Sequence, residues 1–97
     1  MLDRVTALRD ATAAALLDGP GALPPDVRRA IAFGAPPSDL VPLVQKIRLD
    51  APSVTDRDID ALRDQYTEDQ LFEAIVSAAF GAAHERLMTA RRLLEDA

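Results

Sequence analysis

Residues 67–95 read TEDQLFEAIVSAAFGAAHERLMTARRLLE, and the expected fold is worked out from this stretch. Thr67, Glu68, Asp69 and Gln70 have the form of a capping box directly before an apolar run. In that motif the threonine hydroxyl accepts the N–H three residues on, and the glutamine side chain reaches back to the threonine N–H. Nothing then obliges the helix to stop before Glu95, and Gly81 only weakens its middle. About twenty-seven residues at 1.5 Å each give roughly 40 Å. A compact domain of this length has a radius of gyration near 13 Å, so the helix is expected to protrude.

Its faces extend the argument. Val76, Phe80, Ala83, Leu87, Ala90 and Leu94 follow alternating four- and three-residue steps, the spacing of a helix-packing seam. Ile75, Ala78, Ala79 and Ala82 make a second face of smaller residues. From Leu71 to Ala83 the helix is apolar nearly all round, which predicts burial on several sides. Four shorter helices cover one side, and a second subunit is the expected cover for the other.

Four helices are expected upstream. The first spans Leu2 to Leu17, with Leu2, Val5, Leu8, Thr12, Ala15 and Leu16 on one side. It stops at Asp18-Gly19-Pro20-Gly21, where a glycine takes a left-handed cap. The second starts at Pro24-Pro25, presents Val27, Ala30 and Ile31, and ends at Gly34. Ala35-Pro36-Pro37-Ser38 is a stiff linker, with Ser38 or Asp39 capping a third helix that carries Leu40, Leu43, Val44 and Ile47 inward. Pro42 falls in its first turn, where proline is tolerated. Thr55 caps a fourth helix, supported by Asp56 and Asp58, with Ile59, Leu62 and Tyr66 as its apolar stripe. The fold class is therefore all-α, a bundle of about five helices in a single domain over 1–97. Residues 1–36 form an N-terminal helical extension, and 37–97 form the core.

Composition agrees. The 97 residues are 48% hydrophobic and 28% charged, ordinary for a folded chain. The aromatics are Phe33, Phe72, Phe80 and Tyr66 alone, so close-packed helices with small residues at their crossings are expected. The chain has no cysteine, which removes disulfides, thiolate metal sites and thiol redox chemistry together. A net charge of −5 repels phosphate backbones, so nucleic acid is not an expected partner. No signal peptide is visible, and the longest apolar stretch is too short to span a bilayer. A cytoplasmic location without a membrane is the expectation.

Candidate chemistry is sparse. His84 is the sole histidine, no metal-ligand spacing surrounds it, and it reads as a helix-surface or interface residue. Gln70, Glu73, Ser77 and His84 share one helical stripe. Ser77 and His84, however, stand about 10 Å apart along the axis, too far for a nucleophile and its base within one helix. Glu73 is a carboxylate inside the most apolar segment. If buried, it is expected to have a raised pKa and to be able to carry a proton, although pairing or exposure is the more usual fate. Asp56, Asp58, Asp60 and Asp64 lack calcium-loop spacing and read as a wet helix face.

The run Ala61 to Ala74, with its helix, turn, capping box and second helix, resembles the carboxymuconolactone decarboxylase and alkylhydroperoxidase D-like family. Ala51 to Asp56, Ala79-Phe80 and Glu85-Arg86-Leu87 look similar as well. The resemblance covers about Leu40 to Ala90, and residues 1–40 have no counterpart. It implies a helical, oligomeric fold. The peroxidase members carry a Cys-x-x-Cys-x-x-x-His signature one helix before the capping box. Here those positions hold Asp50, Ser53 and Arg57, which have no thiol couple. The resemblance thus implies fold and oligomerisation without the peroxidase.

The expected function is a non-catalytic helical domain acting in homo-oligomerisation or in docking on a partner protein, with no cofactor and no metal. The alternatives are a cysteine-independent decarboxylase-like lyase or isomerase for a small acid or lactone, using Glu73 or His84 at a subunit interface, and an acidic regulator of a basic partner.

Overall fold

The computed structural model describes residues 2–96, with side-chain surroundings from residue 7 onward apart from residue 9. It is all-helical, with no strand among the described residues. Five α-helices follow one another: α1 (Leu2–Asp18), α2 (Pro25–Phe33), α3 (Val41–Asp50), α4 (Asp56–Asp60) and α5 (Glu68–Asp96). Short 3-10 turns at Ser38–Leu40 and Ala51–Ser53 flank α3.

The long helix starts where its capping box puts it. The Gln70 N–H donates to Thr67 Oγ1 at 3.1 Å, and Gln70 Oε1 accepts the Thr67 N–H at 2.9 Å. Twenty-nine residues make it roughly 44 Å long, close to the longest dimension of a molecule measuring 47 × 28 × 19 Å. The other helices lie against its first half. Leu40, Leu43, Val44 and Ile47 on α3 and its leading turn are buried as expected, together with Leu23, Ile31, Leu62, Leu71, Ala74 and Ala78.

Gly81 does more than weaken the middle of α5. A methyl group there would overlap the Ala32 carbonyl and come within 2.9 Å of the Ala32 Cα. Glycine is therefore what lets the α2 backbone cross α5 in contact. Ser77, Ala78 and Ala82 around it are also buried, so small residues line the crossing.

Three expectations are corrected. The fourth helix does not run to Tyr66: α4 ends at Asp60, and residues 61–66 coil through tighter bonds from Leu62 to Ile59, Arg63 to Asp60 and Gln65 to Leu62. Its Thr55 cap does form, with Asp58 completing the box, and Leu62 still reaches the core while Tyr66 donates to Asp39 at 2.8 Å. In α1 the expected apolar side is mostly uncovered: Leu8 is 65% exposed, Thr12 and Ala15 are exposed, Leu16 is half-buried, and the buried anchor is Leu17. The expected roles of Leu2 and Val5 lie outside the described side chains. Finally, no described glycine has a positive φ, so α1 does not end in a left-handed cap.

Candidate functional site

What ends α1 is Arg28 of α2, which is only 4% exposed. Its Nη1 donates to the Leu16 carbonyl at 2.8 Å, its Nη2 to that of Gly19, and its Nε to that of Leu23 at 3.1 Å. The last carbonyls of a helix have no partners within it, and a guanidinium fork is suited to collect several at once. The sequence pattern alone does not single out Arg28. Its signal was a cation placed shortly after a helix end, which gains meaning only once α1 and α2 are folded together.

Glu73 completes this joint. Its carboxylate accepts the N–H groups of Ala22 at 2.6 Å and Leu23 at 3.0 Å, and stands 3.9 Å from Arg28 Nε. Gly21 makes room, since a side chain there would overlap the carboxylate. Burial alone raises the Glu73 pKa, but the Leu23 and Ala22 N–H groups and the Arg28 charge outweigh it. The pKa is held below its ordinary 4.5, the opposite of the raised value expected for a buried proton carrier.

The polar stripe of α5 is partly to fully covered by the chain itself. Ser77 is 2% exposed, and Gln70 and Glu73 are engaged as above. His84 packs edge-on against Phe33 at 5.1 Å and stacks near Phe80 at 6.1 Å. Its enclosed Nδ1 has no hydrogen-bond partner among the described residues. At Ala32, next to Phe33 in the chain, the carbonyl accepts from Arg48 Nη2 of α3 at 2.9 Å. His84 and Glu73 therefore belong to opposite ends of the α2–α5 contact, one closing over the end of α2 and the other over its approach. They remain roughly 16 Å apart along α5, and the structure does not bring them together. Of the acidic group, Asp58 binds Lys46 at 2.9 Å and Asp60 binds Arg63 at 2.8 Å.

The six seam residues occupy the other side of α5. Val76 and Phe80 are half-buried, and Ala83, Leu87, Ala90 and Leu94 are exposed. At 100° per residue their mean direction lies roughly 180° from that of the buried residues Leu71, Ala74, Ser77, Ala78, Gly81 and Ala82. Within the single chain, burial of the apolar segment is thus one-sided, the side expected to be covered by the shorter helices. Phe72 is 67% exposed, Leu93 67% and Leu94 77%. Beyond Ala82 no residue of α5 is buried. At the other end of this face, a groove of about 280 Å³ opens between Ala15, Leu16 and Pro20 on one wall and Phe72 and Val76 on the other, with Arg28, Glu73 and Ser77 also lining it. No described helix is long and apolar enough to cross a membrane.

Comparison with protein-family models, with curated proteins and with solved structures finds no match to this chain.

Proposed function

We propose that this chain is a non-catalytic, alkylhydroperoxidase D-like helical domain that works by self-association through the open face of α5. The observation that carries this reading is a helix whose apolar seam leaves its own core, with Val76 and Phe80 half-buried and Ala83, Leu87, Ala90 and Leu94 exposed. The family likeness is supported by the sequence of residues 61–74 and by the capped long helix that follows it.

Magnitudes support the reading. The exposed parts of the seam residues Leu87 and Leu94 amount to about one whole leucine per copy. Burying them in a pair of copies stabilises it by roughly 3–7 kcal/mol, at the lower end of the roughly 4–15 kcal/mol that association costs. Val76, Phe80 and the alanines of the seam then tip the balance towards association. Glu73 and Arg28 serve this function indirectly, by holding the α1–α2 joint against α5.

The test is Leu87→Glu. Leu87 has no role in the core, so the fold should survive, as read by circular dichroism. Light scattering should report a mass reduced to that of a single chain. A folded variant with the wild-type mass would place the association surface elsewhere.

A further inference from the structure

The self-association reading leaves open how two copies meet, and the seam contains that information. Its six positions read Val76, Phe80, Ala83, Leu87, Ala90, Leu94, and the series is complementary to itself when reversed. Running a second α5 antiparallel with Ala83 opposite Leu87 puts Phe80 opposite Ala90 and Val76 opposite Leu94. Large thus meets small, alanine against leucine or phenylalanine, in the two layers on either side of the two-fold point, and the outermost layer sets Leu94 against the shorter Val76. A parallel pair would instead set Leu87 against Leu87 and Ala83 against Ala83, leaving steps and gaps.

Charge selects the same direction. Residues 86–92 carry Arg86, Arg91 and Arg92 and no acid. In the antiparallel register they face residues 78–84 of the second copy, which contain no Asp, Glu, Lys or Arg. In a parallel pair the arginine stretch faces itself, and so do Glu95 and Asp96. Arg86, beside the two-fold point, is turned onto its own chain, donating to the Arg48 carbonyl at 3.2 Å. The reversed register also carries the end of one α5 to the groove beside Val76 and Phe72 of the other.

We propose that α5 pairs antiparallel with α5 of a second copy, Ala83 of each opposite Leu87 of the other, and that Leu94 of each copy seats in the groove bounded by Val76, Phe72 and Leu16 of its partner. This rests on the self-association reading, and the experiment separates the two. Because the chain has no cysteine, Glu95→Cys carries a single spin label at an exposed site outside the seam. In a dimer of this register the two labels stand roughly 30 Å apart along the axis, because residue 95 lies opposite residue 75. A distance under about 15 Å in a particle of dimer mass would mean parallel helices. That would overturn the register while self-association stood. A monomer mass at all concentrations would overturn both. A size swap provides the second readout. Ala83→Leu alone should weaken the dimer by at least about tenfold, because leucine then meets Leu87 of the partner. Ala83→Leu with Leu87→Ala should restore most of the loss, and failure of that rescue would also overturn the register.

Discussion

Glu73 and Gly81 show how much of this molecule depends on single atoms. The Glu73 carboxylate is held ionised by two backbone N–H groups and Arg28, and its folded-state pKa lies below 4.5. Its contribution to stability is therefore complete above the unfolded value and lost as pH falls through the lower folded value. Glu73→Gln should cost about 1–3 kcal/mol at neutral pH. Its stability curve should converge on that of the wild type in acid. Curves that stay parallel from about pH 2 to 7 would show that the charge contributes nothing. Gly81→Ala gains helix propensity of about 1 kcal/mol, yet its methyl overlaps the Ala32 carbonyl. Backbone cannot yield as a side-chain tip can, so a net loss of about 1–3 kcal/mol is expected by chemical denaturation. A stabilised variant would mean that α2 moves off α5 without penalty.

Among the elements, α1 and α5 present opposite cases of partial support. Among the described residues α1 is attached by its end, through Leu17 and the Arg28 bonds to the Leu16 and Gly19 carbonyls. Removing Arg28 leaves those carbonyls and Glu73 without their cation, so Arg28→Met should cost about 3 kcal/mol or more. In hydrogen exchange, the amides of residues 12–15 should exchange faster than those of residues 74–82, whose side chains pack the core. The second half of α5 has no cover from its own chain. Protection over residues 84–94 should therefore rise with protein concentration as copies pair. A concentration-independent pattern there would count against the proposed surface.

For the whole molecule, the absence of cysteine and the placement of Asp50, Ser53 and Arg57 bear on activity together. On the proposed family likeness these three would take the signature positions of the peroxidases; they fall on the end of α3, on a 3-10 turn and on α4. Ser53 Oγ donates to the Asp50 carbonyl at 2.7 Å, closing that turn. The chain should not reduce an alkyl hydroperoxide with a dithiol donor above a protein-free control. Measured turnover would refute this. The longest helix spans nearly the whole 47 Å length of the molecule, while its buried residues lie between Leu71 and Ala82.

Sequence alone determined what is local in the chain. The 3.6-residue period located the core positions of α3 and the outward seam of α5. The capping boxes at Thr55 and Thr67 marked helix starts because their bonds close within four residues. The tertiary structure decided whatever depends on segments distant in the chain. Gly81 is a crossing point because Ala32, forty-nine residues earlier, lies against it. Arg28 is a cap because the turn at Gly19–Leu23 folds it back on α1, and the same turn sets the charge state of Glu73. The apolar side expected of α1 is mostly uncovered for the same reason. Periodicity shows that a helix has an apolar side, but only the surrounding chain determines whether anything covers it.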